Sequence, residues 1–200
     1  MSGCVSGPAI YRHAFVGEAV FAYQGESPCK LTTDGLRSCI GFGGYDQDHK
    51  IGFLAHFYIG KHAEIFFANF EDILKSMAPQ AEKFSFFCKR TGGLCFAIQS
   101  KSIVEIIRAF VTSTNSPDSK IHINMVEEAP LEKKPVLRSL CVNIAQARFS
   151  DYTPEENPYP RQKTTTETSR HESDSLIQDF VVHIHKLEGE LETRTYTIQE

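Results

Sequence analysis

Apolar and polar positions alternate along two neighbouring stretches of the chain, and this period of two predicts β-strands. In residues 51–59 every odd position is apolar, whereas the even positions include Gly52 and His56. Residues 39–45 form the preceding strand, and the polar residues 46–49 predict a tight turn between the two. The odd positions of the second strand are therefore expected to face a core, with His56 on the opposite face.

Other segments give similar signals. Apolar residues at helical spacing predict a helix over residues 102–112, with Ser102 and Glu105 placed as in a capping box. A shorter helix is predicted over residues 70–78, starting after Asn69. Further strands are predicted over residues 14–23, 83–89, 120–126, 137–149, 179–187 and 191–198. A turn is predicted at residues 90–93. Together they predict a mixed α/β (α+β) fold: a largely antiparallel sheet core flanked by helices.

Composition divides the chain into three parts. Residues 153–174 are rich in Pro, Thr, Ser and Glu and contain almost no large apolar residue, which is typical of a linker or mobile loop. We therefore expect a main domain over residues 1–150, a linker over residues 151–175 and a C-terminal hairpin over residues 176–200. Because an isolated hairpin is marginally stable in water, this one is expected to dock on the main domain or on a partner.

Charge and cysteine content narrow the function classes. The 200 residues carry a formal net charge of -4, so nucleic acid is not an expected partner. No apolar run is long enough to span a membrane. The N-terminal residues do not resemble a signal peptide. Six scattered cysteines without a C-x-x-C pair favour reduced thiols and a cytoplasmic location; secretion without a signal peptide is the alternative.

Cys39 and His56 form a candidate catalytic pair. Ile40 and Phe42 assign Cys39 to the same face of the hairpin as His56. A hairpin centred between residues 47 and 48 places the two directly opposite, with Cβ atoms about 4.5–5.5 Å apart. The imidazole could then take the thiol proton, and the ion pair would lower the cysteine pKa. A buried cysteine beside a partly exposed histidine with no catalytic role is the alternative.

Two motifs around this pair resemble a known family. Residues 33–41 read TDGLRSCIG and are similar to the T…LGSCVG stretch of the CheD family of chemoreceptor glutamine deamidases. Residues 45–46 (YD) and 51–57 (IGFLAHF) resemble that family's YD…IGG-x-AHF stretch. The catalytic core of this family is similar to that of Burkholderia lethal factor and the cytotoxic necrotizing factors. By element order the resemblance extends over residues 14–150 and implies a CheD-like layered sandwich.

The resemblance also implies catalytic roles, because Thr33, Cys39 and His56 match the family's catalytic residues in order and spacing. Cys39 would attack the side-chain carbonyl carbon of a glutamine, and His56 would pass the thiol proton to departing ammonia. Thr33 would orient the imidazole. Ser38 would support the turn or the oxyanion hole, with the Cys39 N–H as oxyanion donor. No metal and no organic cofactor are needed.

Several alternatives remain at this point. The substrate with an exposed glutamine is either a chemoreceptor or a host protein, and the enzyme is expected to be a monomer. A transglutaminase or a cysteine peptidase could use the same residues. Arg37 and Phe53 stand where the family has glycine, so a non-catalytic binding module that keeps the fold is the third possibility. His183 and His185 share a strand face but are expected to be solvated rather than to bind metal.

Overall fold

The computed structural model describes residues 8–152, 179–187 and 189–198. Within them the chain forms eleven strands and two helices. The helices are α1 (Gly60–Met77) and α2 (Ile98–Thr114). The strands are β1 (Ile10–His13), β2 (Glu18–Tyr23), β3 (Cys29–Leu36), β4 (Ile40–Asp46), β5 (Ile51–Phe57), β6 (Phe84–Gly92), β7 (Ile121–Glu128), β8 (Arg138–Asn143), β9 (Arg148–Ser150), β10 (Asp179–His185) and β11 (Leu191–Thr197). Apart from residues 151 and 152, the predicted linker lies outside the described residues.

The strands form two sheets. One has seven strands in the order β11-β10-β2-β5-β4-β6-β7, and the other has four in the order β1-β3-β8-β9. Most neighbours are antiparallel; β1 with β3, β2 with β10, and β6 with β7 are parallel. The prediction of a mixed, largely antiparallel sheet core flanked by helices is therefore confirmed.

Two separate cores hold three layers together. One is rich in phenylalanine and lies between the helices and one face of the seven-stranded sheet, where the odd positions of β5, such as Phe53, are buried. The other lies between the two sheets and includes Leu54 of β5, Leu31 of β3 and Val142 of β8. Both faces of β5 are thus covered, and His56, on the face shared with Leu54, is buried between the sheets.

Both predicted helices begin earlier than expected. The helix α1 starts at Gly60, ten residues before the predicted start, because His62, Ala63 and Phe66 already belong to its buried stripe. Asn69 is not the N-cap; its side-chain amide donates to the carbonyl of Ile65 within the helix. The helix α2 starts at Ile98, after Ala97, so the capping box predicted at Ser102 is wrong.

The strand predictions were only partly correct. β1 and β3 were missed, and residues 90–93 are not a free turn because β6 continues to Gly92. The predicted strand over residues 137–149 is two strands, β8 and β9, separated by a turn. The C-terminal hairpin is confirmed as β10 paired with β11. It joins the main sheet through β10, which runs parallel to β2.

Candidate active site

The register of the β4–β5 hairpin differs from the predicted one. Gly41, not Cys39, is paired with His56. The turn occupies residues 47–50, and the Asp46 carboxylate accepts hydrogen bonds from the backbone N–H groups of Asp48 and His49. This longer turn shifts every pair by two positions relative to the prediction. The direct opposition of Cys39 and His56 is therefore wrong, but a shift of two leaves both on the same face.

Cys39 lies where the chain passes from one sheet to the other. β3 ends at Leu36 in the four-stranded sheet, and β4 begins at Ile40 in the seven-stranded sheet. The Leu36 side chain fills the space above Gly41, where an added Cβ would come within 2.7 Å of its Cδ1 atom. Cys39 is buried, with 7% of its surface exposed, and belongs, like Leu36, to the core between the sheets. Because Gly41 has no side chain, the Leu36 side chain can occupy the position directly opposite His56.

Thr33 and His56 are in direct contact. The Thr33 Oγ1 atom lies 2.8 Å from His56 Nδ1 and donates a hydrogen bond of 2.8 Å to the carbonyl oxygen of Ala14. The hydroxyl has one proton, and the Ala14 carbonyl can only accept, so Thr33 accepts a hydrogen bond from Nδ1–H. This assigns the neutral imidazole of His56 to the Nδ1–H tautomer and leaves Nε2 with its lone pair.

His56 Nε2 is buried and has no hydrogen-bond partner among the described residues. Burial, followed by the proximity of His13, lowers the pKa of His56 to about 3, although a hydrogen bond to Ala14 opposes the shift. The ring is therefore neutral at neutral pH. A buried nitrogen lone pair without a partner is unusual in a folded protein and fits a base held ready for a proton.

The cysteine is neutral as well. Burial raises the pKa of Cys39 to about 11, and a hydrogen bond from the Ser38 side chain opposes this only in part. The Cys39 thiol is not a hydrogen-bond partner of His56 Nε2. The described state therefore holds a neutral thiol and a neutral imidazole on one face, and the expected ion pair with a lowered cysteine pKa is not present.

The backbone around Cys39 is held by residues that the sequence did not single out. The Ser100 hydroxyl in the first turn of α2 donates a 2.6 Å hydrogen bond to the Ser38 carbonyl. Gly92, with φ +85°, packs so tightly that an added Cβ would lie 2.6 Å from the Cys39 carbonyl oxygen. The Thr-Gly-Gly run at residues 91–93 was the only available signal for this support.

Neither Arg37 nor Phe53, the two departures from the family motif, adopts a left-handed backbone conformation. The left-handed residue in the turn before Cys39 is Gly35, with φ +74°, whereas Arg37 is exposed and outside that region. Phe53 lies on the other face of β5 from His56 and packs against Phe21, Phe66 and Phe70 of the helix-side core.

His183 and His185 were expected to be solvated, but in the structure both are half-buried. Together with Arg12 and Glu18 they line a cavity of about 360 Å³ between β1 and the C-terminal hairpin. Arg12 donates a 2.6 Å hydrogen bond to His185 Nδ1. Among the described residues, no three His, Cys, Asp or Glu side chains are grouped so that they could hold a metal ion.

No protein-family model matches the sequence, and no curated protein matches it either. In the described part of the chain, neither helix is long and apolar enough to cross a membrane. The assignment of function therefore depends on the motifs and on the geometry of the site.

Proposed function

We propose that this protein is a cysteine-dependent amidase that converts exposed glutamine side chains of a protein substrate to glutamate and releases ammonia. The observation that carries the proposal is the Thr33–His56 hydrogen bond. It supports an imidazole whose unprotonated Nε2 is buried, lies on the face of the hairpin that also bears Cys39 and has no hydrogen-bond partner in the described part of the chain. Thr33 thereby has the orienting role of the third member of a catalytic triad.

The neutral state of both groups suggests how the reaction would proceed. As the Cys39 sulfur attacks the carbonyl carbon of the glutamine amide, His56 Nε2 takes the thiol proton in the same step. The tetrahedral intermediate collapses when the imidazolium returns that proton to the departing nitrogen, which leaves as ammonia. A thioester on Cys39 remains. Water then attacks it with His56 again as the base, and glutamate and free thiol are formed.

Two further groups would assist. The backbone N–H of Cys39 is the candidate donor to the oxyanion, as the family resemblance implies. The Ser38 side chain supports the sulfur by a hydrogen bond that stabilises its charged form. The sulfur and Nε2 must approach each other when substrate binds, since catalytic hydrogen bonds are often long before the substrate is present.

The test is ammonia release from proteins or peptides with an exposed glutamine, combined with intact-mass analysis. Each conversion of an amide to an acid adds about one dalton and one negative charge at pH 7. Cys39→Ser and His56→Gln should each abolish release, whereas Cys88→Ala, which removes a buried free thiol from the helix-side core, should retain it. Full activity in the Cys39 or His56 variant, with all proteins folded by circular dichroism, would contradict the proposal.

A non-catalytic binding module is the second candidate. The raised pKa of Cys39, to about 11, favours it, because a catalytic cysteine more often has a lowered pKa. Wild-type protein that binds a glutamine-containing segment but never releases ammonia would support this candidate. The same assay with an added primary amine separates a transglutaminase, which would attach the amine. Peptide cleavage would indicate a peptidase instead.

The identity of the substrate protein and its location extend the proposal. We propose a cytoplasmic monomer acting on a chemoreceptor or on a host protein, as the family resemblance and the cysteine content suggest. Intact-mass analysis of receptor cytoplasmic domains and of host proteins after incubation with wild-type and Cys39→Ser protein distinguishes the two.

A further inference from the structure

Three loops meet around Cys39. The Ser38 carbonyl is bound by Ser100 at the start of α2. The loop before α2 is joined to the segment before β8, since the backbone N–H of Cys95 donates to the carbonyl of Glu132. That segment returns to the cysteine loop where Arg138 pairs with Leu36. Side chains within two residues of these contacts therefore surround the position of Cys39.

This surface, which we call the Cys39 rim, exposes large apolar side chains. Ile98 is 80% exposed, Phe96 is 63% exposed and Leu137 is 56% exposed. Single exposed apolar residues are ordinary, but several on adjoining loops beside a candidate nucleophile are typical of an interaction surface.

The Cys39 rim also carries positive charge on a protein whose formal net charge is -4. Arg37, Lys101 and Lys133 are exposed, and none of them forms an ion pair with another described residue. In contrast, Arg138 is neutralised by Glu132, to which it donates at 2.5 Å. The free cations therefore favour a partner with acidic groups.

We propose that the Cys39 rim is the docking surface for an acidic segment of the substrate protein, in which apolar residues flank the reacting glutamine and acidic residues lie further out. The inference deepens the proposed function and rests on it. The apolar side chains would contact Phe96, Ile98 and Leu137, and the acidic ones would pair with Arg37, Lys101 and Lys133. A polypeptide is favoured over an anionic membrane because the rim surrounds the position of the proposed nucleophile, whose substrate is a protein side chain.

The test measures peptide binding by fluorescence anisotropy. It uses the full-length Cys39→Ser protein, so that binding is observed without turnover. Three labelled peptides of equal length carry one glutamine between two leucines, with flanks of glutamate, serine or lysine. The glutamate peptide should bind most tightly, and its advantage should shrink with added salt. Lys101→Glu with Lys133→Glu should weaken its binding on the order of tenfold. Lys83→Glu with Lys120→Glu, an equal charge change beyond the opposite end of β4, should leave binding unchanged.

The outcomes separate this inference from the proposed function. Equal binding of the three peptides, or no loss with the Lys101 and Lys133 double variant, overturns the docking surface. Binding of phosphatidylserine vesicles that is lost in this double variant, with no binding of the peptides, also overturns the docking surface. If wild-type protein releases ammonia equally from all three peptides, the docking surface fails but the amidase stands. If the glutamate peptide binds as expected and no ammonia is released, the docking surface stands and the amidase fails.

Discussion

Replacing Thr33 with valine tests the central contact of the site most directly. The change keeps the shape of the side chain and removes only the hydroxyl, which accepts from His56 Nδ1–H and donates to the Ala14 carbonyl. Both hydrogen bonds are 2.8 Å long, and the Thr33 side chain is fully buried. Losing two buried hydrogen bonds should lower the free energy of unfolding by about 1–3 kcal/mol. The lower value applies if His56 keeps its hydrogen bond to Ala14 in the variant.

If the protein is the proposed amidase, the same change should also slow ammonia release. Without the hydroxyl the imidazole is less strictly held in the Nδ1–H tautomer and in its orientation. If one hydrogen bond of about 1.4–2.7 kcal/mol is lost from the transition state, kcat/KM falls by about 10- to 100-fold. The assay is ammonia release, with urea unfolding of the same samples for stability. Nitrogen NMR of His56 should show Nε2 unprotonated in the wild type and a mixture of tautomers in the variant.

Thr32→Val is the matched control. Thr32 is equally buried, but its hydroxyl is 3.1 Å from Nδ1 of His13 rather than in contact with His56. It should lose stability without losing the His56 tautomer or the activity. An Nε2–H tautomer in the wild-type protein, or equal activity of the Thr33 and wild-type proteins, would refute the reasoning.

Three further predictions concern acid, the backbone and the thiol. The pKa of His56 is lowered in the folded state from 6.5 to about 3, so the unfolded chain binds more protons between these values, and stability falls as the pH drops. At 1.36 kcal/mol per pH unit, the free energy of unfolding should fall by about 2 kcal/mol between pH 6.5 and pH 5. Urea unfolding of His56→Gln at pH 7 and pH 5 should not show this loss. Equal losses in the wild type and the variant would exclude His56 as the cause. Gly92→Ala should lower the free energy of unfolding by about 2 kcal/mol or more, because it causes both left-handed backbone strain and a clash with the Cys39 carbonyl. Gly35→Ala causes only the backbone strain. Equal shifts of the two variants in thermal unfolding would contradict this. Iodoacetamide at pH 7 should label Cys95 before Cys39, as mass spectrometry can follow, and earlier labelling of Cys39 would mean that its thiol is not neutral.

The faces of the hairpin were predictable from the sequence, but its register was not. Alternation along residues 51–57 correctly separated Phe53 from His56, because the odd positions are uniformly apolar. The register depends on the turn length, which is fixed by hydrogen bonds from the turn N–H groups to the Asp46 carboxylate and by the left-handed conformation of Lys50. Neither feature has a signal in the hydrophobic pattern, so the pairing was two positions out.

The burial of His56 could not be predicted for a different reason. The even positions of β5 combine Gly52, Leu54 and His56, which does not indicate a second core. The four-stranded sheet that covers them includes β3, whose Lys30, Asp34 and Gly35 hide its strand character. The motif singled out Thr33, and in the structure its hydroxyl lies 2.8 Å from His56 Nδ1. The pKa values, in contrast, follow from burial and required the full fold.

The parallel pairing of β10 with β2 links the two ends of the described chain and has a consequence for synthesis. β2 is synthesised long before β10, its outer neighbour in the sheet. Until then β2 presents an open edge to other nascent chains, which is a known route to aggregation. Phe180, Val182 and Ile184 of β10 also complete the helix-side core. A chain truncated after residue 152 is therefore expected to form inclusion bodies rather than a smaller folded protein.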